Sequence, residues 1–341
     1  MTVNRSDEIG MRRNLSNHRR ADATLTLVVA SIVMACDGQA HVERAAQANG
    51  AVVDSMGVPP SKVSIVPSRA RPELTENSAA AMSRAQPGVF FTINDSGNDP
   101  ILFAMDTLGA DRGAWPVRGA TNVDWESASM GPCTGTPGTH SDCVYIGDTG
   151  DNEARYMSRA VYRVHEPNAT PIGDSLPAER LEYAYSDGPH DVEAMYVAPN
   201  GDMFFITKRP LRSVTGALRP ALVYQIASKA WAAHVRAVAG LVDSLPVVPG
   251  SSLLRLITDA SLAPDGRHVA VRTYSQVYLF ATDSLTGSIE HGVAPAVCNI
   301  TSLGEAQGEG VTWATAAGRL VFTSEGQPEP IRLANCPLPR R

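Results

Sequence analysis

Lysine is almost missing: of 29 basic residues in 341, three are lysines (Lys62, Lys208 and Lys229). Basic charge does not dominate either, because the formal net charge is −6, which excludes a broadly basic nucleic-acid-binding surface. No apolar run reaches the roughly 18 residues that a membrane-spanning helix needs. Long amphipathic helical patterns are nearly absent, and only Ser228–Val242 has helical character. There is no GxSxG, GxxxxGK, GxGxxG or HExxH, which removes the commonest serine-hydrolase, P-loop, Rossmann and zincin chemistries. CxxC and paired-histidine spacings are also absent, which argues against structural zinc. What remains is 43% hydrophobic and 19% charged, too apolar for general disorder, with 28 glycines and 24 prolines to punctuate many short elements.

The N-terminal segment reads as an address. Arg12, Arg13, Arg19 and Arg20 precede the uncharged stretch Ala23–Ala35, as in a secretory signal peptide over residues 1–35. Val33-Met34-Ala35-Cys36 resembles the lipobox of bacterial lipoproteins, which implies lipidation at Cys36; plain secretory cleavage is the alternative. The expectation is an exported, periplasm-facing envelope lipoprotein that touches the membrane only through its lipid. Residues 36–61, small and polar and ending in Pro59-Pro60, read as a flexible tether before a domain over 62–341. Four further cysteines suit an oxidising compartment. Cys133 and Cys143 flank a Gly/Pro/Thr-rich loop that a disulfide would close, and Cys298 and Cys336 would then pair.

Short β-rich runs recur beyond residue 70, separated by Gly, Asp, Asn and Pro clusters at hairpin spacing. An acid followed by small or apolar residues precedes each strong hairpin. These acids are Glu76, Glu126, Glu193, Asp259 and Glu309, at intervals of 50, 67, 66 and 50 residues. A repeated strand unit of that length predicts an all-β fold, a β-propeller with four-stranded antiparallel blades. Five blades are detectable, with room for a sixth between Glu193 and Asp259. The run Val63–Val66 is expected to complete the last blade as its outer strand and so close the ring.

Each acid should open an innermost strand, so the five would converge at one channel mouth. Facing carboxylates repel unless a cation offsets them, and a hard divalent ion, most simply Ca²⁺, suits oxygen ligands. The competing reading has each acid accepting backbone N–H groups. A second set follows the next strand: Asp95, Asp148 and Asp151 in clustered loops, then Lys208, Arg272 and Glu325, all candidate ligand-binding groups. His190, beside Asp191 and near Glu193, is a candidate general base or metal ligand, with Glu193 as its catalytic partner. Trp125 is either a stacking platform or a filler between blades.

The stretches FFTINDSGNDP, NVDWES, YIGDTGDNEARYMSRAVYRVHEP, YSDGPHDVEAMYV and GEGVTW…RLVFTSEG together resemble a family of bacterial exported propeller proteins, over roughly residues 70–330. Glu309-Gly310-Val311-Thr312-Trp313 and Ser324-Glu325-Gly326 are similar to the pattern of propeller phytases and phytase-like esterases, a resemblance that implies calcium at the channel mouth. Three lysines provide no lysine-rich phosphate-binding face. Two functions are therefore expected. One is calcium-assisted hydrolysis of an ester, lactone or phosphoester; the other is a non-catalytic, monomeric propeller that binds a protein, peptide or glycan of the envelope.

Overall fold

Strands dominate because the chain alternates brief β-branched and aromatic runs with Gly- and Asp-rich turns. The computed structural model describes residues 57–133, 141–169, 174–208, 220–233, 235–245, 247, 253–326 and 329–340. The signal segment, Cys36 and most of the tether lie outside the described residues. No helix among the described residues is long and apolar enough to cross a membrane.

The chain opens with β1 (Ser61–Val66). A first meander follows: β2 (Ala81–Met82), β3 (Val89–Thr92), β4 (Ile101–Asp106) and β5 (Asp111–Arg118). The second has β6 (Trp125–Pro132), β7 (Asp142–Asp148) and β8 (Arg159–His165), then the short β9 (Leu176–Pro177), then β10 (Glu179–Tyr185). The third has β11 (Val192–Val197), β12 (Met203–Thr207), β13 (Ala221–Ile226) and β14 (Ala237–Leu245). The fourth has β15 (Ile257–Leu262), β16 (His268–Thr273), β17 (Gln276–Ala281) and β18 (Ala296–Asn299). The last has β19 (Gly308–Thr315), β20 (Arg319–Ser324) and β21 (Ile331–Asn335).

Within each meander neighbouring strands are antiparallel. Short parallel pairings at the outer edges add β9 to β5 and join β10 to β14, so the second and third meanders share one eight-stranded sheet. The first strands touch in cyclic order, β2 to β6, β6 to β11, β11 to β15, β15 to β19 and β19 back to β2. That closed cycle is a β-propeller. β1 lies on β21 as the outermost strand of the last sheet, so the ring is closed by the chain's beginning, as the sequence predicts. Val58 adds a bridge to the fourth sheet, with its N–H donating to Val297 O at 2.9 Å. The chain is therefore held to the ring a few residues before Lys62.

Strand position explains the burial patterns. Inner strands are covered on both faces, so β11 (VEAMYV) is buried at every residue. Outer strands keep one wet face and alternate, as in β5 (DRGAWPVR). The apolar clusters lie between successive sheets: Phe91, Trp115, Trp125 and Tyr162 fill the space between the first two meanders. The last cluster, with Phe90, Met105, Val321 and Ile331, closes the seam between last and first. Trp125 is a filler, fully buried, with Nε1 donating to Thr121 O at 3.0 Å and its ring 6.0 Å from Tyr162. The helical character of 228–242 shortens to one 3₁₀ turn at Ser228–Ala232, because Trp231 turns inward against Tyr145 and under Arg163 while β14 takes up the rest.

Both disulfides form as paired in the sequence reading. Cys133–Cys143 closes the β6–β7 hairpin and Cys298–Cys336 ties the fourth sheet to the end of the last. Arg272 is a third staple. Fully buried, it donates to Gly310 O at 2.6 Å and Thr323 O at 3.2 Å, and to Glu305 Oε2 at 2.5 Å. Space for the guanidinium comes from Gly308, where a Cβ would stand 1.6 Å from Arg272 Nη2. Gly308→Ala is therefore expected to cost about 1–3 kcal/mol in urea unfolding, the range of an overpacked core; an unchanged midpoint would show that the guanidinium moves freely.

Candidate functional site

A repeated irregularity builds the mouth. β6 and β7 pair Trp125 with Asp148 and then Ser127 with Gly147, so Glu126 is the extra residue of a bulge. The β11–β12 ladder skips Glu193 in the same way, β19–β20 skips Glu309, and β15–β16 skips Thr258. In the first meander Asn77 bridges Asn94 and Ser78 N–H donates to Ile93 O, which places Ser78 at the matching point. A bulge re-aims one side chain out of the pleat, and here it does so around the ring. One step above, in four of the five meanders, an N–H just beyond the second strand reaches the carbonyl two residues before the bulge. Asp95 donates to Glu76 O, Thr149 to Asp124 O, Lys208 to Asp191 O and Glu325 to Gln307 O, at 2.9–3.1 Å.

Three of the five expected acids, Glu126, Glu193 and Glu309, thus occupy equivalent bulges. Asp259 stands one residue beyond its bulge, fully buried. Its carboxylate accepts N–H groups from Val311 at 2.7 Å, Ala260 at 2.8 Å and Ala80 at 3.4 Å, the hydrogen-bonding alternative. Glu76 stands two residues before Ser78 and accepts from Asn98 Nδ2 at 2.6 Å.

The ring glutamates are individually partnered. Glu126 accepts from Ser78 Oγ at 2.6 Å, Glu193 from Lys208 Nζ, and Glu309 from Tyr274 Oη at 2.9 Å and Gln307 Nε2 at 3.1 Å. Burial would lower the Lys208 ammonium, but Glu193, Glu126, Asp191 and Glu309 outweigh it and hold it well above its ordinary value. Burial pushes the Glu126 carboxyl far up, with Glu193 and Asp95 adding to it. For Glu193 burial acts upward and Lys208 downward.

Asp124, unmarked by the repeat, completes the site. One of its carboxylate oxygens lies within 4.8 Å of one from Asp95 and one from Glu126, which are as close to each other. Burial and the Asp95 charge, against the pull of Arg159, raise Asp124 to about 7. No hydrogen bond reaches its carboxylate from the described residues. Gly150 makes the convergence possible, since a Cβ there would stand 2.6 Å from Asp124 Cγ and 2.7 Å from Glu126 Cγ. Two acids at i and i+2 of an extended run, Asp124 and Glu126, were the available sequence signal.

The remaining candidates divide. Asp148 is pinned by Arg159 Nη2 at 2.9 Å and itself accepts Asp124 N–H at 2.9 Å. Asp151 accepts the N–H groups of Arg155 and Tyr156 at 2.8 and 2.7 Å, capping its own loop. Arg272 staples the sheets as described. Glu325 joins the funnel: burial, then Glu309, Asp95 and Glu76, raise it to about 9. His190 Nε2 contacts Tyr224 Oη at 2.7 Å and Asp187 Oδ1 at 3.0 Å, with Tyr185 edge-on at 5.2 Å. No bond joins it to a ring carboxylate.

No family model and no curated protein matches the chain. Similar solved structures include Myxococcus xanthus glutaminyl cyclase, 12% identical over 81% of this chain and 97% of that one, with a TM-score of 0.44. The PQQ-bound aldose sugar dehydrogenase of Streptomyces coelicolor is 10% identical over 81% and 99%, at 0.42. Virginiamycin B lyase of Staphylococcus aureus is 8% identical over 81% and 99%, at 0.37. Likeness this distant says nothing of chemistry.

Asp124 and Glu325 keep protons in the folded protein that an unfolded chain gives up near pH 4. Their stabilising effect is present below that pH and lost as pH rises, through about 7 for Asp124 and about 9 for Glu325. In chelator, the melting temperature is therefore expected to fall between pH 5 and 9 by less in Glu325→Gln than in wild type. Identical slopes in the two proteins would remove Glu325 from the funnel.

Proposed function

We propose that this protein is a five-bladed propeller that binds a divalent cation, most simply Ca²⁺, through Asp95, Asp124 and Glu126 at its channel mouth. The convergence of these three carboxylates, with no hydrogen bond to the Asp124 carboxylate from the described residues, carries the reading. The donor set fits a hard ion: all oxygen and anionic, with Asp95 and Asp124 only partly buried, so that waters would complete six to eight ligands. Glu193 and Glu309 belong to the electrostatic surround, because Lys208 and Tyr274 already satisfy them.

The activity that fits is hydrolysis of an ester, lactone or phosphoester at the mouth. A cation bound there supplies Lewis acidity and a more acidic water. The chain contributes Glu325, a buried carboxyl that Glu309, Asp95 and Glu76 hold in its protonated form in the cation-free protein, as the candidate donor to a leaving oxygen, and Lys208, a fixed positive charge. His190 is the less suitable base, since Asp187 and Tyr224 hold it. That engagement favours the second reading, a monomeric propeller that docks an envelope protein, peptide or glycan without catalysis. In either case we propose export and anchoring through Cys36, a location in which both disulfides persist.

Calcium is expected to raise the melting temperature of wild type, by an amount equivalent to about 2.7 kcal/mol at a hundredfold excess over Kd. Asp124→Asn and Gly150→Ala are expected to blunt that rise while keeping the β-rich circular dichroism. A melting temperature indifferent to calcium from micromolar to millimolar levels overturns the site. Chromogenic esters, lactones and phosphoesters, assayed with calcium and with chelator, separate the two activities: turnover that chelator abolishes supports hydrolysis, and inactivity across the panel leaves the docking function.

A further inference from the structure

The seam where the ring closes holds a second site. After β1 the chain leaves the last sheet and crosses to the first, and Arg69 N–H anchors the crossing on Gly109 O at 2.7 Å. Beneath the crossing lies a cavity of about 220 Å³. Leu74, Phe90, Met105 and Ile331, all buried, form its apolar floor. Asn77, Thr323 and Ser324 form one polar wall. Ser68, Ala70 and Pro72 stand at the rim.

The wall's hydrogen bonds define what can enter. Thr323 Oγ1 donates to Asn77 Oδ1 at 2.7 Å, and Asn77 Nδ2 donates to Thr92 Oγ1 at 2.6 Å. An amide nitrogen carries two N–H groups, so Asn77, 7% exposed, keeps one with no partner among the described residues. A buried donor left unsatisfied is costly, and an acceptor oxygen on a ligand would satisfy it. The floor gives water too few partners to fill the space well. One acid, Glu329, lines the cavity with its charge held by Arg332 at 3.2 Å, and no lysine or arginine is among the described lining residues. A carboxylate ligand would lose its hydration there without gaining a cation.

We infer that this cavity binds a small neutral amphiphile: an apolar ring or short chain on the floor, with one carbonyl or ether oxygen accepting from Asn77. The volume is about half as large again as the ~150 Å³ apolar cavity that takes benzene, so one ring and a short substituent fit. A drug-sized molecule, which needs at least ~300 Å³, does not. The inference stands without the cation site, since none of the three cation ligands lines the cavity.

Ligand-observed NMR with acetophenone, toluene and benzoate on the wild-type chain tests it, with chelator present to exclude metal effects. Acetophenone is expected to bind saturably, toluene more weakly and benzoate not at all. Asn77→Ala should weaken acetophenone by about fivefold, the worth of one neutral hydrogen bond, and leave toluene unchanged. Ala70→Phe should block both by filling the cavity; Ser68→Trp, at a half-buried rim position, does the same without entering the core. Circular dichroism and melting curves confirm folding of each variant. Absence of saturable acetophenone binding into the millimolar range overturns the inference, as does binding untouched by both filling variants. Benzoate binding as well as acetophenone removes the neutral class.

Discussion

Charge crowding at the ring axis is the constraint on which this molecule turns. Two unit charges at the 4.8 Å limit of the Asp95–Asp124–Glu126 group repel by about 3 kcal/mol at an effective dielectric near 20. Burial adds a separate penalty on every ionised member. Three such groups, with Glu193, Glu309 and Glu325 close behind, cannot all be charged without compensation. Lys208 supplies one positive charge and is spent mainly on Glu193. Asp124 and Glu325 answer by keeping protons, which is what their raised positions report.

Elsewhere among the described residues, four buried guanidiniums are each settled against one acid. Arg159 faces Asp148, Arg163 faces Glu179, Arg272 faces Glu305 and Arg332 faces Glu329. Each guanidinium also reaches a carbonyl or lies over an aromatic ring, so its burial serves packing between sheets as well as charge. Asp259 is held by three backbone N–H groups, with the Arg272 charge behind them. Against that background the Asp95–Asp124–Glu126 group stands apart among the described residues: three acids brought together with no cationic side chain paired to them directly. The proposed cation site rests on that difference.

Much of the fold could be read from the residues. Runs such as VEAMYV and QVYLFA carry no polar alternation, which is what a strand covered on both faces requires. Outer strands announce themselves by alternation, and the spare run before the first meander predicted closure by β1. Cysteine spacing yielded both bridges. The helical reading of 228–242 failed because alanine-rich composition favours a helix locally, while one tryptophan buried against Tyr145 and pairing along β14 decide the matter.

The site was half legible, for a reason specific to bulges. A bulge adds one residue to one strand, and a single sequence shows no gap where that occurs. Matching acid to acid aligned Asp259 with Glu126, Glu193 and Glu309, whereas the backbone aligns Thr258 with them. The same slip of one separates the two most similar loops. Asn94-Asp95-Ser96-Gly97 looks like Gly147-Asp148-Thr149-Gly150 with the acids matched. In the ladder Asn94 corresponds to Asp148, and each uses a side-chain oxygen to hold backbone N–H groups before the bulge. Asp95 therefore corresponds to Thr149, one place further on. That single-residue offset sends Asp95 into the funnel and turns Asp148 away to Arg159, while Gly150, having no Cβ, leaves room for Asp124 and Glu126 to meet it. The acidic group arises where two nearly identical turns fall out of step, so neither turn alone reveals it.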